Sequence, residues 1–436
     1  MSEVDHALEA RVDAASLVVL RVALGLLLCA SALRFVARGW VEDQLLAPSF
    51  HFHYWGFAWV GEPAPWLAYT LLGVLAAAGV ALASGLATRT SALVALLSFT
   101  WIELVDLTYY LNHYYFLTCL LATFVLVPPR PEADGRVPQW KLALIRTQVG
   151  LVYVYAGLAK LESDWLIHAQ PLKIWLARFA DLAWIGRWLD ETWLAYAAAW
   201  SGAAFDLLVV PALLWPRTRK WAFAAVVVFH VATGLLLPIG MFPWFMIAGA
   251  TVFLAPSWPR AWPITSRFEL LGRPHASPLR LEHALGKLAA ALLLVQLVLP
   301  WRTLLYPGSA LWHEQGFRFG YRVMLVEKAG LVEYRVRDRS TGRQWRIDPA
   351  AELTPMQVRM LSTQPDLILQ YAHHLAARLE HELPGSAIEV YVDAFVSLHC
   401  RPHRRLIDPA VDLAREHEGL APKPWILPGP EEPPSC

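Results

Sequence analysis

Nine apolar segments, each long enough to cross a bilayer as a helix, occupy most of the first 305 residues. A spanning helix needs about 20 apolar residues, and a soluble domain rarely contains so many such runs. The chain has 436 residues, of which 56% are hydrophobic and only 17% charged. We therefore predict a polytopic α-helical membrane domain over residues 1–305. Its spans are expected near residues 16–36, 65–84, 91–109, 113–128, 141–160, 193–215, 220–237, 240–256 and 285–305.

Basic residues are concentrated in every second loop between these segments. Loops rich in lysine and arginine stay in the cytoplasm. We therefore predict a cytoplasmic N-terminus, and an outer location, periplasmic or lumenal, for everything after the ninth span. The basic residues are Arg89; Arg130, Arg136 and Lys141; Arg217, Arg219 and Lys220; and Arg260, Arg267, Arg273 and Arg280.

The chain changes character after residue 305. Runs enriched in β-branched and aromatic residues with partial alternation indicate strands, separated by turn and helix patterns. We predict a β-rich α+β domain over residues 306–436, outside the membrane. The expected strands are Tyr321–Glu327, Leu331–Val336 and Ala387–Leu398, the expected helices are Thr354–Leu361 and Pro365–Glu380, and a turn is expected at Asp338–Arg343.

The cysteine and histidine residues do not form a recognisable metal motif. Cys29 and Cys119 lie in apolar runs, whereas Cys400 and Cys436 lie in the polar tail, where they could pair outside the cytosol; we favour free thiols. We predict no metal site because the spacings of the histidine groups do not match zinc ligands. The formal net charge of +1 gives no indication of a nucleic-acid partner.

The stretch from Leu151 to Trp165 places a lysine at the end of an apolar helix pattern. Helical spacing puts Tyr153, Gly157 and Lys160 on one face, where small residues between a phenol and an amine could receive a flat ring. Small residues also allow close helix packing, and a lysine at a helix end can simply extend to the membrane surface. Asp164 lies one turn further and could hold Lys160 protonated.

Several charged residues fall within the spans, where each needs a partner. Arg34 of the first span lies at a depth similar to that of Glu103 and Asp106 of the third. We therefore expect Arg34 to form an ion pair with one of these carboxylates. The other intramembrane charges are Arg21, Arg146 and Asp206.

The predicted topology brings three features to the same face of the membrane. Lys160 ends an outward-running helix, His113 begins an inward-running one, and the turn at residues 238–244 is also outer. We expect these residues to converge on a site in the outer half of the bilayer.

Short motifs along the chain resemble the vitamin K-dependent γ-glutamyl carboxylase family, whose membrane domain is shared by a wider group with a horizontally transferred transmembrane domain. The segment Tyr155–Trp165, YAGLAKLESDW, is similar to the family pattern Y-x-A-G-x-x-K-L-x-x-D-W. Similar segments follow in the family's order at Leu111–Tyr115, at Phe229-His230 with Ile239–Trp244, at Tyr306–Gly308 with Trp312, Glu314, Gly316, Arg318, Phe319 and Arg322, at Ile368–Ala376 and at Arg401–Pro409.

The resemblance implies an enzyme that uses vitamin K hydroquinone, or menaquinol, with oxygen and carbon dioxide and without a metal. The lysine matching Lys160 would deprotonate the hydroquinone, and the histidine matching His113 would assist at the quinone oxygen. Oxygen would convert the hydroquinone to an epoxide through a strong base that removes a glutamate γ-proton, and the carbanion would attack carbon dioxide. The implied partners are the lipid membrane and a glutamate-containing peptide or protein. The further quinone- or substrate-binding candidates are Asn112, Tyr114, Tyr115, Tyr153, Gly157, Asp164, Trp165, His230, Met241, Phe242, Arg318 and Arg322.

Two alternatives stay open at this point. A member of this family could oxidise or epoxidise a quinone without carboxylation. A protein on the same scaffold could also bind a membrane ligand without catalysis, although the chain shows no inverted repeat of the kind that builds transport sites.

Overall fold

The membrane domain consists of a bundle of apolar helices. A computed structural model describes residues 9–237, 239–262 and 279–436. Within these ranges, seven helices are long and apolar enough to cross a membrane, and two shorter apolar helices accompany them. The predicted polytopic helical fold is confirmed. Pro238, Arg267 and Arg273, which entered the topology prediction, lie outside the described residues, as does the side chain of Arg280.

The helices lie where spans were predicted, with shifted ends, but in the described residues seven of the nine predicted spans are long enough to cross a membrane and the fourth and eighth are shorter. The third helix ends at Val105, before the predicted residue 109, and a 3₁₀ turn follows at Leu107–Tyr109. The bundle helices are α1 Ala15–Ala37, α2 Pro65–Ser84, α3 Thr88–Val105, α4 Asn112–Leu126, α5 Gln139–Ala159, α6 Ser163–Leu166, α7 Leu172–Ala177, α8 Gly186–Leu189, α9 Thr192–Leu214, α10 Arg219–Leu236, α11 Phe242–Ala250 and α12 Leu279–Val298. Two short strands, β1 Arg11–Asp13 and β2 Arg136–Pro138, pair antiparallel.

Glycines allow the first two helices to approach closely. A Cβ atom added to Gly25 would lie 2.3 Å from the carbonyl oxygen of Gly79, and one added to Gly79 would lie 2.6 Å from that of Gly25. Lipid provides no hydrophobic driving force between helices, so membrane helices associate through close packing. Small residues at a crossing allow that packing.

The expected ion pair of Arg34 is wrong. Of the residues that the structure describes, neither Glu103 nor Asp106 forms a salt bridge with Arg34, whose guanidinium lies 4.8 Å from the ring of Trp40. Asp106 instead accepts hydrogen bonds from Thr108 and from Gln357 of the outer domain, at 2.7 and 2.8 Å. The sequence places groups at a common depth but does not show which sides of the helices they occupy.

The outer domain is built on an antiparallel sheet with strand order β4-β3-β5-β6. The long central strands pair over their whole length, from Lys328 opposite Leu398 to Asp338 opposite Ile388. Helix α15 packs its apolar face on this sheet, and the predicted cap of α14, Thr354, forms a capping box with Gln357. The elements are α13 Ala310–His313, β3 Lys328–Asp338, β4 Gln344–Ile347, α14 Pro355–Leu361, α15 Pro365–Glu382, β5 Ile388–Leu398 and β6 Arg404–Arg405.

The segment Tyr321–Glu327, predicted as a strand, is irregular. Tyr321 and Met324 have φ angles of 52° and 57°, which an extended strand cannot contain. Non-glycine residues with positive φ angles cost conformational energy, and they are common near functional sites. The aromatic and β-branched composition reflects burial of the segment between the two parts of the protein.

Cys400 and Cys436 form a disulfide bond, so the expectation of free thiols is wrong. The bond ties the last residues of the chain to the turn after β5. Gln170, in the segment between α6 and α7, donates to the carbonyl oxygen of Cys436 at 3.2 Å. The chain terminus therefore contacts the loop that covers the membrane bundle.

A buried ionic cluster joins this turn to the membrane domain. Arg401 donates to both oxygens of Asp164, at 2.6 and 2.8 Å, and His399 Nδ1 lies 2.7 Å from Asp164 Oδ2. The other ring nitrogen of His399 lies 3.1 Å from the carbonyl oxygen of Leu325, which can only accept. Both ring nitrogens of His399 therefore face oxygen atoms.

The surroundings of Asp164 keep its carboxylate ionised. Burial alone would raise the pKa of Asp164, but hydrogen bonds from His399 and Arg401, together with their charges, hold the pKa well below its usual range. Because the folded-state pKa is depressed, the carboxylate stabilises the fold at pH values above its unfolded pKa of about 3.9. This contribution is lost as the pH falls through the folded-state pKa.

We expect Asp164→Asn to destabilise the protein at neutral pH by about 3 kcal/mol, because it leaves buried cationic groups without their counter-charge. The variant should also lose less stability than wild type when the pH is lowered below about 4. Thermal unfolding in detergent at several pH values measures both effects.

Asp393→Asn is the matched control. Asp393 also lies between two arginines, Arg335 at 2.7 Å and Arg405 at 3.1 Å, but on a more exposed face of the sheet. Its replacement should cost less than about 1 kcal/mol. Equal losses in the two variants would contradict the role given to Asp164.

Candidate functional site

A cavity of about 250 Å³ lies within the membrane bundle, at the end that faces the outer domain. Helices α5, α9, α10 and α11 form its sides, α7 contributes Leu172, Trp175 and Leu176, and the irregular segment contributes Val323 and Met324. Its volume is near the lower end of the range of about 300–1,000 Å³ found for ligand pockets. Among the described residues, four ionisable side chains line it: Tyr153, Lys160, Asp206 and His230.

Lys160 points into the bundle rather than towards the membrane surface. It follows the last residue of α5, is 5% exposed, and donates to Asp206 Oδ2 at 2.8 Å and to the carbonyl oxygen of Ala156 at 3.1 Å. The ring of Trp165 lies 5.1 Å from its nitrogen. Side chains of a helix tilt towards its N-terminus, so a lysine at the outer end of α5 reaches back into the membrane domain.

The close approach of α5 and α9 makes this ion pair possible. A Cβ atom added to Gly157 would lie 2.8 Å from the side chain of Leu207 and 3.0 Å from its backbone nitrogen. Gly157 therefore serves helix packing and does not itself line the cavity, whereas Ala156 does. Because Leu207 follows Asp206, the same contact brings the carboxylate to Lys160.

The pair can exchange a proton with a hydroxyl group placed in the cavity. Asp206 is 4% exposed, and the described residues make no hydrogen bond to its second oxygen, Oδ1. An uncharged amine at Lys160 can accept a proton from a ligand, and the carboxylate then stabilises the ammonium that forms. In the ammonium form, two of the three N–H groups of Lys160 have protein acceptors, which leaves one for a ligand.

A second polar group lies across the cavity wall. The hydroxyl of Tyr153 lies 2.9 Å from His230 Nε2, and His230 is 2% exposed. Its Nδ1 is buried without a hydrogen-bond partner among the described residues. When Tyr153 donates to Nε2, the proton of the neutral ring resides on Nδ1, which becomes a donor without an acceptor. Buried polar groups in proteins are nearly always hydrogen-bonded, so an unpaired donor of this kind needs an explanation.

His113 does not line this cavity. Its ring centre lies 5.4 Å from that of Phe242, and Phe242 lies 5.7 Å from His230. Phe242 does line the cavity and therefore separates the two imidazoles. The structure places His113 behind Phe242, not against the space where a ring would lie.

Of the other predicted residues, Trp165 lines the cavity with Tyr153, His230 and Phe242, and its indole nitrogen donates to the carbonyl oxygen of Ala199 at 2.7 Å. Asp164 belongs to the cluster with His399 and Arg401 and does not contact Lys160. The candidate contact of Lys160 with Asp164 is thus replaced by Asp206.

The remaining predicted residues support neighbouring segments instead of the cavity. Asn112 donates to the carbonyl oxygen of Arg322 at 3.0 Å, and Arg322 donates to Glu162 at 3.1 Å. Arg318 binds Asp366 and lines a separate cavity of about 390 Å³ beneath the outer domain. Tyr114 packs on Phe99 and His113, Tyr115 on Phe319 and Tyr321, and Met241 on the bundle core.

Sequence reasoning did not assign Asp206 to the site. The sequence shows Asp206 only as an intramembrane charge that needs a partner, well inside α9. The backward tilt of helix side chains was the available signal, since it brings the amine to the level of Asp206. Trp175 and Met324 also line the cavity and carried no recognisable motif.

Comparison with known families agrees with both parts of the structure. A family model described as the HTTM domain matches residues 10–258, and one described as the vitamin K-dependent gamma-carboxylase, lumenal domain, matches residues 282–432. No solved structure shows a significant match. The two matches together span most of the chain in the order membrane domain, then lumenal domain. The protein is therefore a multi-pass membrane protein that belongs to the gamma-glutamyl carboxylase family.

Proposed function

We propose that the protein carboxylates glutamate residues of a peptide or protein, using vitamin K hydroquinone and coupling the reaction to quinone epoxidation by oxygen. The observation that carries the proposal is Lys160, buried against an apolar cavity and paired with Asp206 at 2.8 Å. A general base needs hydrogen-bond reach to a bound hydroxyl and protection from bulk water. The cavity offers both.

The residues of the cavity fit a hydroquinone ring. Such a ring is flat and apolar and carries two hydroxyl groups on opposite sides. Aromatic and aliphatic side chains form most of the cavity wall, and its ionisable side chains form two pairs, Lys160 with Asp206 and Tyr153 with His230. The unpaired Nδ1 of His230 is an additional donor for one ring oxygen.

Each group then has a definite part. Lys160 accepts the proton of one hydroxyl, and Asp206 orients the amine and stabilises the resulting ammonium. His230, held by Tyr153, donates to the other ring oxygen. Reduced vitamin K, when bound, supplies with oxygen the strong base that a weakly acidic glutamate γ-proton requires. Trp165, Trp175 and Phe242 exclude water from the reacting atoms.

We assign His113 to positioning Phe242 rather than to contact with the ring, because their rings lie 5.4 Å apart and His113 does not line the cavity. The outer domain would present the glutamate, since Val323 and Met324 reach the cavity from the segment that precedes β3. We further propose that the N-terminus is cytoplasmic, as the loop charges indicate.

We expect Lys160→Met to lower carbon dioxide fixation into a glutamyl peptide at least about 100-fold, since a positioned general base contributes a factor of that size or more. The assay uses protein in nanodiscs with reduced vitamin K, oxygen and labelled carbon dioxide. The proposal would not survive unchanged fixation in this variant.

Lys141→Met provides the control on the same helix. Lys141 is also buried and paired with a carboxylate, Glu282 at 3.1 Å, but lies at the opposite end of α5 from the cavity. Its replacement should lower stability and leave the turnover of folded protein close to wild type.

We expect Lys160 and Asp206 to act as a unit in a double-mutant cycle. Asp206→Asn alone should slow the reaction, and the double variant should be no more than about threefold slower than Lys160→Met, because coupled residues are non-additive. Independent, multiplying losses would show that Asp206 acts elsewhere.

Measuring vitamin K epoxide and carboxyglutamate separately in one reaction distinguishes the alternatives. Epoxide without carboxyglutamate identifies a quinone-oxidising member of the family. The absence of both products, with retained ligand binding, identifies a non-catalytic membrane protein.

A further inference from the structure

The cavity beside Lys160 reaches the lipid-facing surface between α9 and α10. Ser201 on α9 and Ala232 on α10 both line the cavity, and both are exposed on the surface of the bundle. Their neighbours on that surface are large and apolar, with Trp200 58% exposed and Leu235 80% exposed. Side chains as small as those of serine and alanine can contact both the cavity and the lipid-facing surface only where the wall between the cavity and that surface is thin or open.

Small residues line this gap on both helices. Ala198, Ser201 and Gly202 line it on α9, and Ala232 and Thr233 line it on α10. The stacked rings of Phe205 and Phe229, 4.1 Å apart, bridge the same two helices one turn towards the inner face. The helices are therefore in contact below the gap and separated by small side chains at it.

The gap presents an apolar surface although it contains two hydroxyl groups. Ser201 donates to the carbonyl oxygen of Ala198 at 3.3 Å, and Thr233 donates to that of Phe229 at 2.9 Å. Hydroxyl groups bonded within their own helix require no partner from a ligand. Hydrocarbon can therefore pass between these helices without leaving a polar group unpaired.

The gap lies at hydrocarbon depth. Ser201 is nine residues after Thr192, the first residue of α9, which places it about 13 Å along the helix at a rise of ~1.5 Å per residue. The apolar core of a bilayer is about 30 Å thick. On α10, Ala232 lies four residues before Leu236, the last residue of that helix, so the gap lies inside both apolar helices and at least about one turn from their outer ends.

We propose that this gap, formed by Ala198, Ser201, Gly202, Ala232 and Thr233, is a lateral portal that holds the isoprenoid chain of a lipid-soluble quinol while its ring lies beside Lys160. This inference rests on the proposed function. The cavity has a volume of about 250 Å³, which is too small for a ring of this class together with a chain of several isoprene units, so the chain has to leave it. Lipid is as apolar as the isoprenoid chain, so moving the chain from lipid into the portal adds little binding affinity. The portal instead determines which quinols fit.

The test compares two ligands that share a ring. They are 2-methyl-1,4-naphthoquinone without a side chain and the same ring with a chain of four isoprene units. Their affinities for protein in nanodiscs are measured by quenching of tryptophan fluorescence, which is sensitive to the cavity because Trp165 and Trp175 line it. Ala232→Phe, which fills the gap, should weaken binding of the chain-bearing ligand relative to the chainless one about tenfold, the scale of an overpacked contact.

Ala225→Phe is the matched control. Ala225 is exposed on the same face of α10, seven residues nearer the inner end, and does not line the cavity. In this variant, the ratio of the affinities for the chain-bearing and the chainless naphthoquinone should equal the ratio in wild type. Ser201→Phe, on the α9 wall of the gap, should reproduce the effect of Ala232→Phe. If Ala232→Phe is not monodisperse, Ser201→Phe tests the portal in its place.

An unchanged ratio in the portal variants, or the same change in Ala225→Phe, overturns the portal while leaving the proposed function intact. Wild-type protein that binds neither naphthoquinone overturns the portal and the proposed quinone site together.

Discussion

The contact between Lys160 and Asp206 joins the outer end of α5 to α9 within the membrane domain. Neither charge could remain alone at this depth without a large cost, and removing one partner leaves the other uncompensated. The pair requires α5 and α9 to touch, which the missing side chain of Gly157 permits against Leu207. The same approach leaves a cavity next to the amine instead of packed side chains. Helix packing and the chemistry of the cavity thus depend on one contact.

The outer domain completes this cavity and is held to the membrane domain by charge. Asp164, bound by His399 and Arg401, immediately precedes Trp165, whose ring lies 5.1 Å from the nitrogen of Lys160. The disulfide of Cys400 joins the terminus to the turn that carries both partners of Asp164. Docking of the outer domain therefore also positions an aromatic wall of the cavity. The outer domain thus lies at the end of the bundle that contains the cavity.

Hydropathy predicted the helical fold well, because burial in lipid acts on every residue of a span. The same patterns predicted which residues are buried but not their partners. Arg34 and Asp106 share a depth yet not a side of the bundle, and Lys160 meets Asp206 because its side chain tilts inward. Gly157 matched a family motif, and only the position of Leu207 shows that it serves packing. The positive φ angles of Tyr321 and Met324 arise from tertiary packing that strand propensity does not describe.

The most direct test of the account is an experimental structure of the protein in nanodiscs with 2-methyl-1,4-naphthoquinone bound. We expect the ring to lie in the cavity beside Phe242, with one oxygen within hydrogen-bond distance of Lys160 and the other near Nδ1 of His230. A ring bound on the other side of Phe242, against His113 and away from Lys160, would contradict it.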